Sequence, residues 1–178
     1  MPTPITPAPS VNVDDVTVRR ISQIHPKLRT ELRAIYCDIC NALKGRAMCR
    51  FSQVLRTFKE QNDLYAQGRT APGKVVTNAK GGSSYHNYGL AVDIVLLLKD
   101  EKGSFNKASW ETNVDFDGDG VADWKEVVAI FKRYGWEWGG DWKFTDTPHF
   151  QKTFGKNINE LYHLWSTGKK DPEGYVLI

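Results

Sequence analysis

From Val16 onward the apolar positions Ile21, Ile24, Leu28, Leu32, Ile35, Ile39 and Leu43 recur every three or four residues, the stripe of an amphipathic helix. Pro26 suits a helix first turn, so the stripe divides into two helices meeting near His25, and Gly45 ends the second. Residues 47–55 read as a strand, and Thr57 to Ala66 as a helix closed by Gly68. Gly73, Gly81 and Gly82 mark a long irregular loop. Leu90 to Leu98 is an apolar run of strand length, broken only by Asp93. Residues 99–120 are loop-like and acidic, 122–134 helical. Trp136 to Trp142 forms a strand and turn, His149 to Gln151 a short strand, and Asn157 to Ser166 a final helix. No internal repeat is visible. The pattern predicts an α+β fold, a small mixed or antiparallel sheet flanked by helices.

At 178 residues the chain suits one domain, 15–178, behind a flexible Pro-rich leader at 1–14. A composition of 40% hydrophobic and 25% charged residues is enough for a core without disulfides. The net charge of +3 is not gathered into any basic cluster, so a nucleic-acid partner is not expected. No segment reaches the roughly 20 apolar residues of a membrane helix. The leader has neither the basic nor the apolar region of a secretory signal, so a product made in the cytoplasm is expected, as a monomer. Cys37 and Cys40 lie in a helical stretch with no second Cys/His pair at matching spacing. Together with Cys49 they are expected to be reduced thiols, the first two buried. His25 and His163 lack ligand partners at useful spacing and are expected to be structural or exposed.

Four scattered residues carry the chemistry: His86 and Asp93 in Ser84-Tyr-His-Asn-Tyr-Gly-Leu-Ala-Val-Asp93, then Asp146 and His149 in Asp146-Thr-Pro-His149. Two histidines and a carboxylate are the ligand set of a catalytic zinc, which keeps a fourth position for water. An apolar strand with one carboxylate in it needs a partner for that charge, and a metal is a good one. Gly89 permits a tight turn between His86 and the strand bearing Asp93, and Pro148 holds Thr147 extended. Asp146 then stands where it can take a proton from the metal-bound water.

The motif Ser84-x-His86-x-x-Gly89-x-Ala91-x-Asp93 with a later acid-x-x-His resembles the zinc peptidase family of D-alanyl-D-alanine carboxypeptidases, VanX and VanY types, and L-alanyl-D-glutamate peptidases. The resemblance runs from about Phe51 to Gln151. Trp136-Glu-Trp138-Gly-Gly-Asp141-Trp142 and Asp146-Thr-Pro-His149-Phe-Gln151 are most similar to the L-alanyl-D-glutamate branch, which includes phage endolysins and a Bacillus wall hydrolase. The dipeptidase branch usually carries Glu where this chain has Asp146. The resemblance implies the zinc fold shared by hedgehog proteins and D-Ala-D-Ala peptidases. It also implies a peptidoglycan stem-peptide substrate and an arginine, here Arg56, that holds the oxyanion beside the metal. Gln61, Tyr65 and Gly68-Arg69-Thr70 fit the pattern as scaffold or cleft wall. Ser84 lines the cleft or is a turn hydroxyl; Trp138 and Trp142 wall the groove or pack in an aromatic core. An enzyme of this kind acts on the wall after holin-type release or lysis. The alternatives are a D,D-carboxypeptidase or dipeptidase acting on D-Ala-D-Ala, and a catalytically silent calcium-dependent wall-binding module.

A second metal signal stands apart. Asp115-Phe-Asp117-Gly-Asp119-Gly120-Val121-Ala-Asp123-Trp-Lys-Glu126 matches a 12-residue EF-hand loop at each ligand position. Asp115, Asp117, Asp119, the Val121 carbonyl, Asp123 and Glu126 fill the calcium shell, and Gly120 permits the sharp turn. The incoming helix is poorly formed, so an isolated calcium loop feeding helix 122–134 is expected.

Overall fold

The structure is a computed structural model that describes residues 12–178. Ten regular elements follow in order: α1 (Asp15–Ile21), α2 (Arg29–Ala42), β1 (Ala47–Gln53), α3 (Phe58–Ala66), β2 (Ala91–Lys99), β3 (Phe105–Ser109), α4 (Asp123–Arg133), β4 (Glu137–Trp138), β5 (His149–Gln151) and α5 (Ile158–Ser166). The helical stripe divides as its pattern requires, with Pro26 opening a short 3-10 turn at Pro26–Leu28. Helix α3 begins at a capping box, in which Thr57 and Glu60 each satisfy the other's backbone N–H.

The five strands form one antiparallel sheet. Strand β1 runs along one edge of β2. The other edge is shared by β3, paired with Leu96–Lys99, and β5, paired with Ala91–Asp93; β4 lies outside β5. Side chains alternate along a strand, so register sorts residues between the faces. Cys49, Phe51, Val92, Ile94, Leu96, Phe150 and Trp138 join Leu32, Ile35, Ile39, Trp124, Val127 and Phe131 of α2 and α4 in the core. Phe131 stacks on Phe150 with ring centroids 4.2 Å apart. The opposite face carries Asp93, paired with His149, and Gln151, paired with Ala91 and Glu137. Two consecutive pairings therefore put four polar side chains on one side of the sheet and the core on the other.

Three expectations change. Strand β3 falls where a loop was predicted. Its side chains are half-buried or exposed, so no apolar alternation announces it, and pairing with β2 creates it. The leader was placed at 1–14, and residues 1–11 lie outside the described residues. Asp14, however, is buried at 3% exposure, caps α1, and belongs to the fold. Cys37 is exposed rather than buried because it points away from the Leu32–Ile35–Ile39 stripe; Cys40 is half-buried, Cys49 buried, and all three are free thiols.

Candidate metal centre and cleft

His86 sits in a 3-10 turn at Tyr85–Tyr88, opened by Ser84 and Asn87 as reciprocal caps and closed by Gly89 in the left-handed conformation (φ 67°). A side chain at Gly89 would come 2.8 Å from the His25 backbone nitrogen, so the turn needs glycine for both reasons. The turn feeds directly into β2, where Asp93 lies opposite His149 of β5. Both imidazoles converge on one oxygen: His86 Nε2 and His149 Nδ1 each lie 3.1 Å from Asp93 Oδ1.

The outer nitrogens decide which protons are present. His86 Nδ1 is 2.8 Å from the Val54 carbonyl, which can only accept, so Nδ1 carries the proton and Nε2 offers a lone pair. His149 Nε2 is 3.0 Å from Gln151 Oε1, leaving its Nδ1 lone pair toward Asp93. Two lone pairs and a carboxylate oxygen facing one another call for positive charge between them. The electrostatics agree: burial works to raise the Asp93 carboxyl, but the neighbouring imidazoles overcome it and hold it far below the usual carboxylate range. Burial works to lower His149, yet Asp93 outweighs it and the imidazole is raised. His86, Asp93 and His149 have ligand atoms all within 4.8 Å of one another, a donor set that fits zinc.

A cleft of about 540 Å³ opens above this group, lined among others by Arg56, Ser84, Trp142, Asp146 and Gln151. Arg56 Nη2 lies 3.7 Å from Asp93 Oδ2, and its Nη1 donates to Gln61 Oε1 at 2.8 Å. Gln61 is fully buried and also donates to the Ala79 carbonyl, so it fixes the guanidinium from behind. Arg56 Nε is buried without a hydrogen-bond partner. Asp146 is held by its backbone: its N–H donates to the Gly139 carbonyl at 2.9 Å, and its carbonyl accepts from His149 N–H at 3.1 Å. Burial first, and the negative Asp93 second, push its carboxyl up, against the opposing pull of His149, His86 and Arg56. Ser84 lines the cleft, although its hydroxyl also accepts from His86 N–H at 3.4 Å.

The two tryptophans separate. Trp142 is 37% exposed, lines the cleft and sits 5.2 Å from the His149 ring. Trp138 does not wall the groove. Its register with Phe150 turns it to the core face, where it is 8% exposed and its indole donates to the Thr147 carbonyl at 2.7 Å. Sequence reasoning also passed over Gln151, Glu137 and the Val54 carbonyl as parts of the site. Only the strand alternation of Gln151 with His149 hinted at one of them. His25 is buried, and its ring is bonded to the Val176 carbonyl.

The acidic loop 115–126 forms two overlapping groups, Asp115, Asp117 and Asp123, and Asp117, Asp119 and Glu126, each with ligand atoms within 4.8 Å. Gly118 and Gly120 take positive φ, and their N–H groups donate to the two Asp115 oxygens. Asp123 is fully buried with Oδ1 unpartnered, and Glu126 Oε2 is buried and unpartnered as well. Glu126 is pushed up to about 7 by burial and then by Asp119, Asp117 and Asp123. Val121 is exposed on the same loop. Lys44 reaches in from the turn after α2, 2.7 Å from Asp119 and 3.3 Å from Asp117.

An α+β domain that offers two imidazoles and a carboxylate to a cleft, beside an arginine and a second acid, defines a metal-dependent hydrolase. Comparison with known proteins makes the class specific. A family profile described as D-alanyl-D-alanine carboxypeptidase matches residues 77–152, which include all three donors. The chain is 46% identical over 131 residues to the peptidoglycan L-alanyl-D-glutamate endopeptidase CwlK of Bacillus subtilis, covering 73% of this chain and 74% of that protein. In fold it matches the L-Ala D-Glu endopeptidase ChiX of Serratia marcescens with a TM-score of 0.50 at 24% identity, over 79% of this chain and 88% of that one. The chain belongs to this family of zinc-dependent metallopeptidases, which act as peptidoglycan hydrolases. Among the described residues no helix is long and apolar enough to cross a membrane.

Proposed function

We propose that the protein is a zinc-dependent peptidoglycan endopeptidase that cuts the stem peptide between L-alanine and D-glutamate. The observation that carries this reading is the pair of imidazole lone pairs and the Asp93 carboxylate converging within 4.8 Å at the floor of the cleft. The bond assignment comes from the name and 46% identity of the Bacillus subtilis relative. Zinc held by His86, Asp93 and His149 would supply a nucleophilic water near neutral pH and polarise the scissile carbonyl.

The chain's own residues do the rest. Asp146, its carboxyl raised by burial and then by Asp93, is placed to accept the proton released as water attacks and to return it to the leaving amine. Arg56, braced by Gln61 and lining the cleft, donates to the oxygen on which negative charge develops. Ser84 and Trp142 flank the peptide in the cleft. Digestion of purified peptidoglycan, with mass spectrometry of the fragments, tests this. New amino-terminal D-glutamate is expected. Released D-alanine would instead favour a D,D-carboxypeptidase, the activity that the matched profile describes. No cleavage by zinc-loaded protein would point to a wall-binding module. Stripping zinc with chelator abolishes cleavage, and adding back one equivalent restores it.

We further propose that the 115–126 loop binds calcium through Asp115, Asp117, Asp119, the Val121 carbonyl, Asp123 and Glu126. Its support is the pair of buried, unpartnered oxygens on Asp123 and Glu126. We also propose that the enzyme acts at the cell wall as a monomer, which it reaches after holin-type release or lysis.

A further inference from the structure

The two zinc-facing histidines are anchored differently. His86 is held by a backbone carbonyl, which can only accept. His149 is held by the side-chain amide of Gln151, whose two ends have opposite character. If that amide presented its nitrogen to His149 Nε2, it would donate there. The imidazole proton would then move to Nδ1, pointing at Asp93 and occupying the lone pair that a metal needs. Something must choose the orientation of the amide.

Glu137 makes the choice. Gln151 Nε2 donates to Glu137 Oε2 at 3.0 Å, and a carboxylate accepts only, so the amide oxygen is turned toward His149. Sheet register enforces the chain of contacts. Glu137 lies directly opposite Gln151 in the β4–β5 pair, and Gln151 follows His149 by two residues on the same face. Gln151 is 6% exposed, so water does not compete readily for its amide.

We propose that Gln151, oriented by Glu137, is the positioning residue that keeps the His149 proton on Nε2 and thereby sets the metal affinity of the centre. The inference rests on the zinc reading above. It predicts where the affinity comes from: outer partners of this kind alter metal binding by about 10–100-fold. Gln151→Leu removes the acceptor and weakens zinc binding to that extent. Glu137→Leu leaves the amide free to turn and weakens it less, by a few-fold. The exchanged pair Glu137→Gln with Gln151→Glu keeps the logic, because a carboxylate at 151 accepts from His149 and from the amide at 137. That double variant regains most of the wild-type affinity, whereas Gln151→Glu alone sets two carboxylates against each other.

The test is zinc affinity measured by competition with a chromophoric chelator, with circular dichroism to verify folding. The expected result is weaker zinc binding in Gln151→Leu than in wild type and recovery of the affinity in the exchanged pair. A folded Gln151→Leu with wild-type affinity overturns the proposal while leaving the zinc site standing. Should Gln151→Leu misfold, an exchanged pair that folds but fails to recover zinc affinity overturns it equally. A wild-type protein that takes up no stoichiometric zinc overturns both the proposal and the reading beneath it.

Discussion

Asp146 and Arg56 adjoin the donor set without belonging to it, so each can be removed while the metal site keeps its ligands. Asp146→Ala is expected to lower kcat by about 10²–10⁴-fold with zinc stoichiometry unchanged, the range for loss of a general base. Near-normal turnover by zinc-replete variant would end that assignment. Arg56→Ala should cost about 10²–10³-fold, as for loss of an oxyanion donor. A different residue controls acid stability. Burial works to raise Asp14, but the Arg50 guanidinium and the hydroxyl and amide of Thr17 outweigh it, so its carboxyl lies below the ordinary value. A carboxyl depressed in the folded state adds stability above its unfolded pKa of about 4, and that stability is lost as pH falls through the lower folded value. Asp14→Asn should therefore flatten the fall in unfolding free energy below about pH 4, measured by denaturant titration at each pH. An unchanged slope would show that Asp14 does not contribute. The zinc donors were legible in the sequence because their residue types are rare together in an apolar context. Gln151 and Glu137 were not, because an amide and an exposed acid gain meaning only once register pairs them.

At the scale of elements, helices α1 to α5 follow the stripe, caps and glycines closely, since a helix is written in neighbours three and four residues apart. The sheet is less legible. Strand β3 has no buried face of its own, and β4 is two residues long, so both depend on partners distant in sequence. The same dependence left Trp138 undecided between groove and core, because its face is set by pairing with Phe150 and not by the aromatic run in which it sits. The short turn after β4 has a consequence for the site. A Cβ at Gly139 would run into the Asp146 carbonyl oxygen and come within 3.1 Å of its Cβ. Gly139→Ala must therefore push the 139–147 loop outward and carry Asp146 away from the His86, Asp93 and His149 donor set. The expected outcome is an activity loss approaching that of Asp146→Ala, with zinc still bound and about 1–3 kcal/mol of stability lost to overpacking. Full activity in this variant would mean that the loop tolerates displacement and that Asp146 needs no such exact placement.

Over the whole molecule, the acidic loop 115–126 and the zinc centre lie at two ends of one packed path. Asp123 and Glu126 of the loop open α4; Phe131 near its other end stacks on Phe150, whose chain neighbours are His149 and Gln151. Five carboxylates concentrate negative charge where α4 begins, and Lys44 offsets only part of it from an exposed position, where an ion pair is worth little. A divalent cation is expected to stabilise the fold by mass action, about 2.7 kcal/mol at a hundred times its dissociation constant. For a chain of this size that corresponds to a rise in Tm of about 5–10 °C. The calcium-free protein should also show a distinct pH dependence. Glu126 is raised to about 7, so in the calcium-free state the folded protein binds a proton that the unfolded chain releases between roughly pH 4.5 and 7. Stability from this group therefore increases as pH falls through that window. Calcium, which needs the ionised carboxylate, should abolish the increase. Melting curves from pH 5 to 8, with zinc retained and calcium either buffered away or saturating, measure both effects. Glu126→Gln should lose the calcium response and the pH dependence together, because one side chain underlies both. Identical curves with and without calcium would remove calcium from the loop and leave Lys44 as its resident counter-charge.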